Sequence, residues 1–430
     1  MMRKIEYPAQ ADWQELVKRP TQNYEDLEAG IAQTFQLVRE QGDAALLELT
    51  QRYDGVKLTS LFATQEEIAA AESELSAELK EAILQAYSNI QLFHAQQAEQ
   101  PKQVETMPGV TCWRKSVPID RVGLYIPGGT APLFSTLLML GVPAKLAGCT
   151  EVLLCTPPTK DGSIHPAIRY TASLLGIDRI AKVGGAQAIA AMAFGTASIP
   201  AVNKIFGPGN QYVTVAKQML SKTGVAIDLP AGPSEVLVIA DDSANPAFVA
   251  ADLLSQAEHG ADSQVVLLTN SVEMLNQVEK ELQEQLEVLP RKAFAAKALQ
   301  NSLGILLGSV EEMLRFSNLY APEHLILSIS NFEEVLDEIT NAGSVFLGNY
   351  SPESAGDYAS GTNHTLPTNG YARAYSGVSL DSFVKKITFQ HITPSGLQNI
   401  GKSIEVMAAA EGLEAHKKAV SIRLKEVQNV

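Results

Sequence analysis

The sequence predicts an α/β fold of βαβ units whose strands form parallel sheets with helices on their faces. Three observations carry this reading. Short apolar runs recur through the middle of the chain, and helical patterns follow most of them. Of the 430 residues, 46% are hydrophobic and 19% charged, which suits a sizeable core. The runs are numerous enough to require two sheets.

Taken in order, the chain first reads as helical from about Asn23 to Glu99. Leu27, Ile31, Phe35 and Val38 recur at spacings of three and four, which places them on one face. The stretch 66–99 is Ala-rich and free of glycine, so it predicts one or two long helices. The strand-like runs then fall at 122–126, 152–155, 179–183, 204–206, 236–240, 265–269, 304–307, 325–329 and 344–347. Helical patterns start near Ser135, Pro166, Ala186, Asn210, Pro246, Val272 and Glu311. The Pro- and Gly-punctuated segment 228–233 is the expected crossing between sheets. A polar segment rich in Gly, Ser, Thr and Asn follows Gly348 and runs to about Gly377, predicted as a long functional or disordered loop. The chain ends in a β-like stretch, 383–390, and two helical patterns, 397–410 and 413–427. This end is sparsely apolar and predicts a tail that packs on another surface.

Charge and cysteine usage exclude several classes. Lys and Arg total 33 against 48 Asp and Glu, a formal net charge of -15, so the basic footprint of a nucleic-acid binder is missing. Cys112, Cys149 and Cys155 are too few, and odd in number, for a disulfide scaffold. The first residues lack the apolar core of a secretory signal. The uncharged stretch 183–203 is rich in small and polar residues and makes a poor lipid-facing helix. No membrane association is expected, and a cytoplasmic location is.

Three constellations bear on chemistry. The first is a set of glycine-rich strand-to-helix turns at 127–130 (PGGT), 184–187 (GGAQ) and 207–210 (GPGN). Such turns let backbone approach a phosphate at a helix N-terminus, and equally they are what a tight turn needs. None has the GxGxxG spacing, since Tyr212 stands where the third glycine belongs. The second is a set of metal-ligand types. Gln256 and His259 share one face near a helix C-terminus, Asp357 lies in the polar loop, and His416 is on the last helix. Each is also an ordinary polar residue in its own context. The third is Glu323-His324 in YAPEHL, at the entrance of a predicted strand. A carboxylate beside an imidazole is a proton-transfer pair near neutral pH, or a solvated loop pair.

The sequence resembles the histidinol dehydrogenase family. The matching segments are VGLYIPGGTAPLFSTLLMLGVPAKLAGC, VGGAQAIAAMAFGT, KIFGPGNQYV, DLPAGPSEVLVIAD, DLLSQAEHGADSQ, YAPEHL, AGSVFLGNYSPESAGDYASGTNHTLPT and EGLEAHKKAVSIR, in order from about residue 120 to near the end. The resemblance implies oxidation of L-histidinol to L-histidine through L-histidinaldehyde, the last two steps of histidine biosynthesis, with reduction of two NAD⁺. It implies one zinc ion per subunit, held by Gln256, His259, Asp357 and His416. Glu323 and His324 would transfer protons. Ser234, His364 and Glu411 would touch substrate beside His324 and the zinc ligands, and Tyr125, Gln187 and Asn210 would touch NAD.

The resemblance also implies two incomplete Rossmann-like domains with small helical extensions at each end. The expected boundaries are an N-terminal extension at 1–20, a first domain at 21–124 with 233–378, a second, NAD-binding domain at 125–232, and a tail at 379–430 packing on a partner subunit. A homodimer is implied, with Glu411 and His416 reaching the partner's site. These two residues are five apart, about 140° round a helix, so they need not form one patch on their own chain. A related dehydrogenase for another amino or sulfonated alcohol, or a zinc hydrolase using Glu323 with a metal-bound water, stays open on this scaffold.

Overall fold

A computed structural model describes residues 1–19, 25–128, 132–230 and 232–428. The expected helix start at Asn23, Gly129 and Thr130 of the first glycine turn, and Ala231 of the crossing segment lie outside them. The strands are β1 (Arg3–Glu6), β2 (Val104–Met107), β3 (Val110–Pro118), β4 (Arg121–Tyr125), β5 (Glu151–Cys155), β6 (Ile180–Ala181), β7 (Lys204–Phe206), β8 (Ala226–Ile227), β9 (Glu235–Ala240), β10 (Gln264–Thr269), β11 (Leu303–Leu306), β12 (His324–Ser328), β13 (Ser344–Leu347) and β14 (Val384–Ile392). They divide between two compact units, one of residues 1–96 with 119–383 and one of residues 97–118 with 384–430.

The first unit holds two parallel sheets, as the alternation of strand and helix requires. One sheet runs β6-β5-β4-β7-β8 and the other β1-β11-β10-β9-β12-β13. In each, the five strands that follow one another in sequence lie in the order third, second, first, fourth, fifth. This is the Rossmann order, and it puts a topological switch point beside β4 in one sheet and β9 in the other. β9 and β10 are buried at every residue, as central parallel strands covered on both faces must be. Apolar clusters sit on each face of both sheets. Ile126, Leu138 and Phe206 belong to one face of the β4 sheet and Ile189, Val213 and Ile205 to the other.

Two elements depart from expectation, the N-terminal segment and the polar loop, while the long helical stretch forms as expected. The N-terminal extension is not wholly helical, because β1 adds a parallel edge strand to β11, with Lys4 opposite Gly304. Four residues are too short a pattern to read as a strand before a partner edge is known. The stretch 66–99 forms two helices, Gln65–Glu74 and Ala77–Ala95; Thr64 caps the first through a reciprocal box with Glu67, and Ser76 caps the second. The polar loop after Gly348 contains a helix, Glu353–Tyr358, entered through Pro352.

The second unit is an antiparallel sheet, β14-β3-β2, with helices Pro394–Ala410 and Glu414–Gln428 packed on one another. Trp113 and Phe389 stack across β3 and β14, with ring centroids 5.4 Å apart. The hairpin β2–β3 turns at Pro108-Gly109, with Gly109 at φ +78°, a turn signal the sequence carries but which the short, weakly alternating strands on either side left unread. Among the described residues no helix is long and apolar enough to cross a membrane.

Candidate active site

The carboxyl end of the β4 sheet opens into a cavity of about 1000 Å³. Tyr125 ends β4, and Gln187 and Asn210 belong to the two following glycine turns; all three expected cofactor residues line the cavity. This is where open α/β sheets place ligands. Burial pushes the Tyr125 phenol up to about 12, so it stays protonated, and its oxygen accepts from the Gly185 N–H at 3.0 Å. The Asn210 amide oxygen caps helix Gln211–Met219, accepting from the N–H groups of Tyr212 and Val213.

The turn glycines serve packing. A Cβ at Gly207, whose φ is +127°, would overlap the Tyr125 carbonyl, and one at Gly209 would overlap the side chain of Val213. A value of φ in that range with backbone so close admits only glycine. The tight-turn reading therefore accounts for Gly207 and Gly209. Beneath them, Lys217 pairs with Asp228 and donates to the Gly207 carbonyl at 2.9 Å, while Asp228 accepts from the Gly207 N–H at 2.8 Å.

The titratable residues meet at the amino ends of β9 and β12, opposite in sense to the cavity's position on its own sheet. Glu323 and His324 are both buried there. One Glu323 oxygen accepts from the Glu235 N–H at 2.9 Å, and His324 Nδ1 is 3.0 Å from the Glu235 carbonyl oxygen. Gln256, on helix Pro246–Ala257, brings its amide nitrogen to 2.9 Å from Nδ1. His324 Nε2 is 3.6 Å from Asp357 Oδ1 and has no hydrogen-bond partner among the described residues. Burial raises the Glu323 carboxyl well above the usual range. Burial alone would lower His324, but Glu323, Glu353 and Asp357 outweigh it and raise the imidazole.

Of the expected metal residues, His259 and Asp357 come together, and a third joins them. His259, Glu353 and Asp357 each offer one ligand atom, all within 4.8 Å of one another. Glu353 and Asp357 are four apart on the helix missed in the polar segment, and so share its face. Glu353 is 1% exposed, and one of its oxygens is buried without a hydrogen bond. Burial first, and then the neighbouring carboxylates, push it up to about 8; Asp252, one turn before Gln256, is pushed to about 7 by burial. An imidazole with crowded carboxyls and an orphaned oxygen is a donor set that suits a divalent cation such as zinc. The i, i+4 acids of PESAGDY are the signal that would have found Glu353.

His364 connects the cluster to the β4 half. Its Nδ1 faces the Asp357 carbonyl at 2.9 Å and its Nε2 faces the Thr136 hydroxyl at 3.0 Å, on the helix leaving the first glycine turn. Ser234 directly precedes β9 and is half-buried. Glu411 and His416 lie in the second unit, both exposed.

This paired architecture is shared with known proteins. The family model described as histidinol dehydrogenase matches residues 17–424. The chain belongs to the histidinol dehydrogenase family. It is 60% identical over 424 residues to a histidinol dehydrogenase of Bacteroides thetaiotaomicron, covering 99% of both chains. It is 53% identical to that of Vibrio cholerae over 423 residues, covering 98% of this chain and 97% of the relative. The crystal structure of histidinol dehydrogenase from Elizabethkingia anophelis superposes with a TM-score of 0.98 at 59% identity, covering 99% of each chain. Membership of the histidinol dehydrogenase family makes the protein an oxidoreductase.

Proposed function

We propose that the protein oxidises L-histidinol to L-histidine through L-histidinaldehyde, with two NAD⁺ and one zinc per subunit, as a homodimer with shared sites. The observation that carries this reading is the buried Glu323–His324 pair set against the His259, Glu353 and Asp357 cluster. Removing a hydride from a carbinol also requires an acceptor for its hydroxyl proton. His324 Nε2 is buried and without a hydrogen-bond partner among the described residues, and in its neutral form it serves as that acceptor in both oxidations. The second oxidation consumes a water, and Glu323, whose raised affinity for protons suits a base near neutral pH, takes the water's proton. Gln256, His259 and Asp357 would hold the zinc from one chain and His416 from the partner, and the ion would supply a Lewis-acidic anchor that orients the substrate with its carbinol towards His324. NAD⁺ would accept the hydride from the cavity lined by Tyr125, Gln187 and Asn210.

Ser234, His364 and Glu411 complete the substrate contacts in this reading, Glu411 again from the partner. The cofactor half would be the β4 sheet and the catalytic half the β9 sheet; the boundary expected at 124/125 falls inside β4, residues 97–118 belong to the second unit, and helix residues such as Ile31 and Ile83 pack on the β4 sheet. A thiohemiacetal route would need a reactive thiol: burial raises the thiols of Cys149 and Cys155 to about 11 and about 12, which keeps these two protonated, and Cys112 lies on β3 in the second unit. The test is the rise of NADH absorbance with histidinol, against a panel of small amino alcohols, with and without a chelator. Turnover of histidinol that stops on chelation supports the reading. NADH formed only from another alcohol, or none formed at all, defeats it.

A further inference from the structure

We propose that the buried Arg19–Glu235 ion pair is the positioning device of the Glu323–His324 pair, acting through the backbone of Glu235; this rests on the proton-transfer roles proposed above. Glu235 is the first residue of β9, and its main chain serves three site groups at once. Its N–H donates to Glu323 at 2.9 Å, and its carbonyl oxygen lies 3.0 Å from His324 Nδ1 and 3.3 Å from the Gln256 amide nitrogen. The Glu235 carbonyl oxygen accepts from the Gln256 amide, and the same amide nitrogen stands 2.9 Å from His324 Nδ1, so Glu235 and Gln256 together fix the place of the imidazole; Nε2 is the ring nitrogen without a hydrogen-bond partner among the described residues.

What holds that backbone is the side chain of the same residue. Arg19 Nε donates to Glu235 Oε1 at 2.8 Å and Arg19 Nη2 to Oε2 at 2.9 Å, a two-point fork. The Glu235 side chain is 2% exposed and that of Arg19 10%. The guanidinium lies over the Tyr320 ring at 3.5 Å from its centroid, and the Tyr320 hydroxyl is fixed in turn on Gln264 at 2.8 Å. Glu235 Oε1 also accepts from the Asn369 N–H at 2.9 Å, which ties in the segment that carries His364. Replacing a buried ion pair by apolar residues is often neutral for stability, so burial of a full charge pair at this strand start points to a geometric task. A planar fork constrains the carboxylate in two places, which a lysine ammonium cannot do. Arg19 comes from the N-terminal segment; its Nη2 also donates to the Ala321 carbonyl oxygen at 3.5 Å, a longer tie to the segment that carries Glu323, while the fork on Glu235 is its principal hold.

Two variants test this: Arg19→Lys, and the apolar double variant Arg19→Met with Glu235→Leu. Both are expected to bind zinc and show wild-type KM values for histidinol and NAD⁺, within about twofold, while kcat falls by about 10- to 100-fold through misplacement of the pair. In Arg19→Lys the charge is kept, so a loss there assigns the effect to the fork geometry. A double variant that folds and keeps wild-type kcat overturns the proposal. So does failure of both variants to fold, because the pair is then a stability element. Wild-type protein assayed beside them separates the two readings: no NADH from wild type with histidinol defeats the proposed reaction, whereas full wild-type turnover with undiminished kcat in the variants defeats the positioning role alone.

Discussion

Asp228→Asn removes the counter-charge that pairs with Lys217, a lysine buried beneath the cavity of the β4 sheet. The Lys217 side chain is 5% exposed and that of Asp228 1%. The asparagine keeps an oxygen for the Gly207 N–H, so the change isolates the charge. An ammonium left in that place has the Gly207 carbonyl as its remaining partner. Breaking one side of a buried pair costs about 3–5 kcal/mol. A loss of about 4 kcal/mol lowers the thermal midpoint by roughly 4 °C if the whole chain melts as one unit. Urea unfolding and calorimetry read this loss, and the apparent KM for NAD⁺ should rise because the 207–210 turn loses its anchor. The double variant Asp228→Asn with Lys217→Met carries no buried charge and should regain most of the stability. Asp228→Asn within 1 kcal/mol of wild type, or no recovery in the double variant, refutes the reasoning.

Four further outcomes are expected. His324→Asn should slow both hydride steps by about 10²–10⁴-fold, whereas Glu323→Gln should slow chiefly the aldehyde-to-acid step; single-turnover traces with equal losses in both steps for Glu323→Gln would remove the division of labour. Chelation should abolish turnover without unfolding the chain, because the ligand residues come from distant elements and not from one local finger; full activity in protein shown to be metal-free by elemental analysis contradicts this. Refolding an equal mixture of His324→Ala and His416→Ala chains should restore about a quarter of wild-type activity, since half the dimers are mixed and one of their two sites is intact; no recovery in verified heterodimers places His416 in its own subunit's site. Thr64→Ala should cost about 1 kcal/mol by opening the capping box with Glu67, and a thermal midpoint equal to wild type would show the cap to be idle.

The sequence by itself determined the α/β class, the helix starts and most of the strands. Apolar runs such as 236–240 and 265–269 bury both faces, and this can be read locally. Caps such as Asn245 before Pro246 and Asn210 before Gln211 are likewise local chemistry. The adjacency of Glu323 and His324 was legible for the same reason, whereas helix Pro246–Ala257 carries Gln256 and ends before His259, which follows its C-cap Glu258.

Only the tertiary structure decided the rest. β1 becomes a strand because the exposed edge of β11 offers it hydrogen bonds, and four residues carry no such signal alone. Glu353 joins a cluster of side chains able to hold a metal ion because its helix folds against His259, far away in sequence. Glu235 reads as an unremarkable acid until Arg19, 216 residues earlier, closes on its carboxylate. In each case the deciding partner lies across the fold. Packing brings it near, and the low dielectric of the interior makes the meeting of charges matter.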